Sequence, residues 1–428
     1  MLGIILFTLL PFINQKKRTR EEIQKAVITI GIVLAIIAAV LLFNVHYFVA
    51  LMFGFVAMIV FDRKTYTKKR LLIYVPIALV VGGALYAMLR DNPEYVLQHI
   101  EEHRASTSLY LAENGEVLVA YEADVKRPLA SMVKIVIALQ YAMALENNEL
   151  SRETRVSLDE LANFYLQNSD GGAHEEWLAA MDAAGAIKDN TVSLHDVAKG
   201  MVTYSSNANT DYLIHLLGAE AINARIADIG LTEHDDVYPI VAALYMSDVV
   251  TKDGMSEEQV IQALRDMPIE DYGDAAFQLS ADMQTGALNL QNETLQLSSK
   301  LQKVWSDRLI GATAREYGKL LRLISSDALP PTAAAAMRNL MEWPMELNKD
   351  NEAHYAHLGA KGGSTMFILN NALYSEDLEG NQFELVYFTN NLNWLDMLLL
   401  QKNRNSFEAH VLNDAAFRQK VVAALTND

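Results

Sequence analysis

Three uncharged apolar runs near the start constrain this chain more than any other feature. Residues 26–43, 47–61 and 71–89 contain no Asp, Glu, Lys or Arg. A helix crossing a bilayer needs about 17–25 mostly apolar residues. The first and third runs meet this outright, and the second meets it once it is taken to begin near Val45. A core helix of a globular domain keeps a polar face, and these runs have none. The expectation is about three transmembrane helices within residues 1–90, making this stretch a membrane anchor in contact with the lipid bilayer.

Basic residues orient such an anchor. Lys16, Lys17, Arg18 and Arg20 precede the first run, and Arg63, Lys64, Lys68, Lys69 and Arg70 lie between the second and third. An excess of Lys and Arg marks cytoplasmic loops, so residues 44–46 face outward and everything after Arg90 is extracytoplasmic. The expected location is the cell membrane, multi-pass, with the C-terminal domain outside. Residues 2–13, interrupted by Pro11, read as an interfacial segment. No basic residue precedes them, so a cleaved signal peptide is not expected.

Charge divides the chain at the same place. Residues 1–90 hold 11 Lys and Arg against 3 Asp and Glu, which leaves 24 against 50 for residues 91–428. A domain with a net charge of −26 is unsuited to nucleic acid, and none is expected as a partner. The chain has no cysteine, which excludes disulfides, thiol catalysis and thiolate metal sites. The oligomeric state is not legible. The apolar runs lack ionisable groups, so nothing in them supports a substrate or proton path.

After a polar segment at 91–105, expected as a short linker helix, the pattern changes. Residues 106–112 and 117–123 are rich in strand formers and flank Asn114-Gly115, a strong hairpin signal. Helical patterns fill most of 131–349, among them 158–167, 194–204, 210–217, 219–229, 312–325 and 332–343. The segment 246–301, rich in Asp, Glu and Gln, reads as a solvated helical excursion. Strands follow at 366–374 and 383–389, then a terminal helix near 414–425. This order predicts an α+β domain over 106–428, with one antiparallel sheet built from 106–130 and 350–428 and a helical part, 131–349, inserted between them.

Three short motifs carry candidate chemistry. Ser131 opens a helical stretch and is the one serine in the chain with a lysine three residues on, Lys134. Residues three apart share a helix face, so the amine can reach the hydroxyl. A desolvated lysine turns neutral near pH 7 and can serve as a base. Ser205-Ser206-Asn207 joins two helical patterns, and Lys361-Gly362-Gly363-Ser364 precedes a predicted strand. Glycines on an edge strand let a substrate backbone approach, and a lysine attracts a carboxylate. Asp170-Gly171-Gly172-Ala173-His174 reads as a loop into a helix, and His174 is a candidate for the rim of the site. His174-Glu175 does not extend to a zinc motif, because Leu178 stands where a second histidine is needed.

In this order the motifs resemble the S-x-x-K, S-D-N and K-T-G signatures of the class A β-lactamase and penicillin-binding-protein superfamily of serine hydrolases. They stand here as SMVK, SSN and KGGS, and the resemblance covers residues 106–428. It implies that Ser131 is the nucleophile forming an acyl-enzyme, Lys134 its base and Ser205 a proton relay. It further implies that Asn207, Lys361, Gly363 and Ser364 bind substrate, with the N–H groups of Ser131 and Ser364 as oxyanion hole. Neither cofactor nor metal is implied. The implied substrates are β-lactams or peptidoglycan peptide amides.

Two departures stand out. Glycine replaces the threonine of K-T-G, leaving Ser364 or Thr365 to supply a hydroxyl. No glutamate stands in the E-x-x-L-N segment that deacylates efficient β-lactamases. Glu346 precedes Leu347-Asn348 without the spacing, and residues 232–236 offer carboxylates without it either. The competing expectation is a non-turnover penicillin or peptidoglycan sensor coupled to the membrane helices.

Overall fold

The strand-forming segment after residue 106 folds back on itself as its Asn-Gly pair requires. Asn114 and Gly115 take left-handed φ values of 52° and 83°, the turn whose twist matches the strands it joins. Strands β1 (Thr107–Glu113) and β2 (Glu116–Tyr121) form the hairpin. The end of the chain adds β3 (Tyr355–Ser364), β4 (Leu369–Asp377) and β5 (Gln382–Thr389). The sheet is antiparallel in the order β2-β1-β5-β4-β3, so β3 forms one edge. This is the expected α+β arrangement, an antiparallel sheet completed by both ends of the domain. The computed structural model describes residues 90–426 apart from 168, 286, 288–296 and 327. The three apolar runs lie outside these residues. Among the described residues no helix is long and apolar enough to cross a membrane.

Alternation along the strands buries both faces of the sheet. Leu109 and Leu111 of β1, Leu373 of β4 and Leu385 and Tyr387 of β5 point to one side. Tyr110, Ala112, Ala372, Tyr374, Val386 and Phe388 point to the other. The first side is covered by α1 (Pro93–Glu102) together with two helices near the end of the chain. The segment expected as a linker is therefore part of the fold. Asn92 caps α1, accepting from Glu94 N at 3.2 Å, and Val96, Leu97 and Ile100 are buried.

The second face packs against the inserted helices. Their centre is α2 (Lys134–Glu146), in which every residue except Met143 and Glu146 is buried. A helix apolar all round belongs in a core, and this one fixes the turn that carries Ser131. The helix α3 (Asn207–Leu217) and the helix Pro331–Met341 pack along α2.

Three differences from expectation stand out. The helix expected over 158–167 stops at Ala162. The Lys361 motif lies within β3 and not before a strand, because His357 to Gly362 pair residue by residue with β4. A 20-residue helix, α4 (Trp394–Asn413), precedes the terminal α5 (Ala415–Thr426) and was not anticipated. Its apolar residues cluster at the start and do not recur with helical period.

Candidate active site

Ser131 sits in a 3-10 turn, Ala130–Val133, that leads directly into α2. Ala130 before it has φ 49°, a left-handed conformation costly for a residue with a Cβ. The surroundings hold it there. Arg127–Pro128 pairs with Gly311–Ala312, and Leu129 N donates to Ile310 O at 2.9 Å. On the other side lies β3. A Cβ on Gly363 would collide with Leu129 O and stand 3.0 Å from Ser131 N. The glycine is thus required by close packing of the strand on the nucleophile's turn, and this close packing sets the backbone of 363–364 beside Ser131 N–H.

Lys134 is fully buried. Its Nζ donates to Ser205 O at 2.6 Å, Ser205 Oγ at 3.1 Å and Asn207 Oδ1 at 2.8 Å. Burial, followed by the nearby Lys361 charge, pushes its pKa well below the usual lysine range. Those three bonds account for all the protons of an ammonium, and none reaches Ser131. A neutral amine has one proton fewer and a lone pair to offer.

Ser205 is presented by unusual backbone. The helix Leu194–Lys199 continues as a π-turn, Gly200–Tyr204, and Ser205 closes it with φ 70°. Single π-turns and left-handed residues of this kind occur often at functional sites. Lys361 Nζ donates to Ser205 Oγ at 3.0 Å, so one hydroxyl oxygen accepts from two lysines and its own proton is free to point elsewhere. Burial, then the nearby Arg404, brings the Lys361 pKa down to about 7. Ser131, Lys134, Ser205, Asn207, Lys361, Gly363 and Ser364 all lie at one place.

His174 is not on the rim. It is 3% exposed, its Nδ1 lies 2.9 Å from Ser206 Oγ, and its ring packs between Tyr165 and Trp177. Its loop supports the Ser-Ser-Asn turn from behind. Asp170 in the same loop accepts from Asn207 N and Ala173 N, both at 3.1 Å. Of the carboxylates weighed from sequence, Asp235 pairs with Lys126 at 2.8 Å and Glu346 with Lys199 at 2.7 Å. Thr365 Oγ1 is 2.6 Å from Ser306 Oγ, which leaves Ser364 as the open hydroxyl.

Two cavities meet at Ser131, Ser205 and Ser364. The first, of about 580 Å³, is lined by Ile240, Leu244, Leu297, Trp305 and Leu309, with Asp170 as its one carboxylate among the described residues. Asp211 of α3 shapes this wall by accepting from Ile240 N at 2.8 Å and Val241 N at 2.9 Å. Burial raises the Asp211 pKa to about 7 even though these N–H groups favour its ionised form. The second, of about 530 Å³, runs along the outside of β3 and is lined by Lys361, Asn371, Arg404 and Glu408. Arg404 sits over the strand, its Nη1 3.6 Å from where a Gly362 Cβ would be. Asp211 and Arg404 escaped the sequence reading. Arg404 has no motif of its own and belongs to the unanticipated α4.

A model of the Beta-lactamase enzyme family matches residues 94–349. The match includes Ser131, Lys134, Ser205 and Asn207 and ends before Lys361. Among solved structures, a β-lactamase of Sphaerobacter thermophilus is 16% identical, covering 74% of this chain and 94% of that one at a TM-score of 0.44. A class A β-lactamase representative from Bacteroides cellulosilyticus is 14% identical, covering 79% and 100% at 0.45. A β-lactamase of Chitinophaga pinensis is 13% identical, covering 74% and 99% at 0.45. No curated protein matches the sequence.

Proposed function

Because the chain belongs to the beta-lactamase enzyme family of serine hydrolases, we propose that it forms an acyl-enzyme on Ser131 with β-lactams or cell-wall peptide amides. We place this chemistry outside the cell, on a domain held to the membrane by residues 1–90. The observation that carries the reading is the convergence of Lys134 and Lys361 on Ser205 Oγ, at 3.1 and 3.0 Å, both amines buried and reduced in basicity.

The steps follow from these positions. Neutral Lys134 takes the proton of Ser131 as its Oγ bonds to the substrate carbonyl carbon. The oxyanion lies against the N–H groups of Ser131 and Ser364. As the C–N bond breaks, Ser205 gives its proton to the leaving nitrogen and regains one from Lys134. Lys361 and Arg404 hold a carboxylate on the leaving group.

Hydrolysis of the resulting ester needs a base for water. The wall facing it is apolar at Ile240 and Leu244. Asp170 has both carboxylate oxygens engaged, Oδ1 by Ala173 N and Oδ2 by Asn207 N, so it is held in the turn and not aimed at a water on the ester. We therefore expect a long-lived acyl-enzyme. That supports a second reading, a penicillin or peptidoglycan sensor that acylates without turnover and signals through its membrane segment.

The test is incubation of the solubilised full chain with a fluorescent penicillin, beside Ser131→Ala, followed by intact mass over time. A stable adduct that Ser131→Ala lacks is the expected result. An adduct that decays with release of hydrolysed drug identifies a true β-lactamase. No adduct removes β-lactams from the substrates.

A further inference from the structure

The chain has four tryptophans, and they differ sharply in environment. Trp177 is buried, Trp305 and Trp343 are half-buried, and Trp394 is 75% exposed. Trp394 opens α4, and Leu395 and Leu398 beside it are 44% and 42% exposed. Residues three and four apart share a helix face, so the three form one apolar surface. The turn between β3 and β4 extends it. Leu392 N donates to Phe367 O at 3.0 Å, and Met366 next to Phe367 is 56% exposed. Met366 and Phe367 also line the first cavity. An apolar surface thus runs from the mouth of the Ser131 site to the start of α4.

Chain connectivity says what can cover it. The third apolar run ends at residue 89, and α1 is capped by Asn92. Three residues reach about 10 Å at most. Asn92 N donates to Asn403 Oδ1 at 2.8 Å, while Asp396 acts electrostatically on Tyr95 and His99 of α1. The two helices therefore pack antiparallel along each other, and Trp394 lies nine residues, about 14 Å, along α4 from Asn403. Trp394 therefore lies within about 25 Å of the end of an uncharged 19-residue run.

We propose that Trp394, Leu395, Leu398 and Met366 form a docking surface for the lipid bilayer, inserted at headgroup level so that the cavity mouth lies near the membrane plane. Tryptophan and leucine on a short face suit that depth. The contact is apolar and not electrostatic, since a domain with a net charge of −26 gains nothing from an anionic surface. Substrates presented at the membrane surface are then favoured over distant ones. The inference rests on reading residues 71–89 as a span.

Residues 1–90 contain no tryptophan, which makes the test clean. Full-length protein and Trp394→Phe are reconstituted in vesicles, and the difference in their emission isolates Trp394. Lipids brominated high in the acyl chain should remove most of that difference signal, equally at low and high salt. Leu395→Ser with Leu398→Ser should lessen the quenching while acylation of Ser131 in detergent is unchanged. Protein that floats with the vesicles but leaves Trp394 red-emitting and unquenched overturns the inference while the anchor stands. A blue-shifted but unquenched Trp394 overturns it in favour of a second copy of the chain. Protein that does not float with vesicles removes the anchor reading and this inference with it.

Discussion

The two cavities that meet at Ser131 differ in the charged groups that line them. One has a wall held by Asp211 through the backbone of Ile240 and Val241, and offers Ile240, Leu244 and Leu309. The other, along the outside of β3, offers Lys361, Arg404 and Asn371. The polar wall contains what acylation needs: an amine shared with Ser205 and cations for a carboxylate. In the first cavity the one carboxylate among the described lining residues, Asp170, is tied to the backbone of Ala173 and Asn207, which leaves the proposed deacylation without a free base there. On the proposed mechanism this difference separates forming the acyl-enzyme from releasing it, and each half can be altered without the other.

The largest effect is expected at the proposed base. Lys134→Ala removes three hydrogen bonds to Ser205 and Asn207 and the proposed base, so the rate of penicillin labelling should fall by about 10³-fold. A labelling rate within a few-fold of wild type would reassign the base. Next comes Ile240→Glu, which gives the apolar wall a carboxylate. General-base assistance contributes about 10²–10⁴-fold, and the adduct should decay about 10²-fold faster by intact mass, with acylation little changed. If the adduct persists, something other than the missing base protects the ester.

Arg404→Ala tests the polar wall. A hydrogen bond to a charged group contributes about 1.5–3 kcal/mol, so the apparent KM for carboxylate-bearing substrates should rise about 10-fold. An ester without a carboxylate should be unaffected, and equal loss on both would mean that Arg404 acts only by shaping β3.

The sequence made the motif residues legible and left the walls around them dark. Ser131, Lys134, Ser205, Asn207 and Lys361 belong to short motifs whose spacing reflects chemistry, and they converge. The hairpin at Asn114-Gly115 was legible because φ above zero demands such residues. By contrast, Ile240 looks like any core isoleucine until Asp211 is seen to hold its backbone at the cavity. Arg404 is one arginine in a helix whose apolar residues lack period. Gly363 was read as room for substrate, and only the packing shows Leu129 O filling the space a side chain would take. The role of His174 was invisible for the same reason, since burial against Ser206 depends on where a distant turn lands.

The smallest effect is a titration that separates the two cations of the polar wall. Lys361 has its pKa lowered to about 7 by burial and by Arg404, whereas a guanidinium stays charged throughout. Below pH 7 both cations face the substrate carboxylate; as pH rises through about 7 Lys361 loses its proton and Arg404 alone remains. Binding of carboxylate-bearing penicillins should therefore weaken a few-fold between pH 6 and 8, in keeping with one screened charge of two. The Lys134 amine acts in the opposite sense, because it must be neutral to accept the Ser131 proton, so the acylation step itself should not fall over that range. Measured separately, apparent KM rises with pH while the saturated acylation rate does not. In Arg404→Ala the midpoint of this rise should move to higher pH, because the neighbouring guanidinium that helps depress Lys361 is gone. A KM flat from pH 6 to 8 in both proteins would take Lys361 out of carboxylate binding and leave it solely as the partner of Ser205.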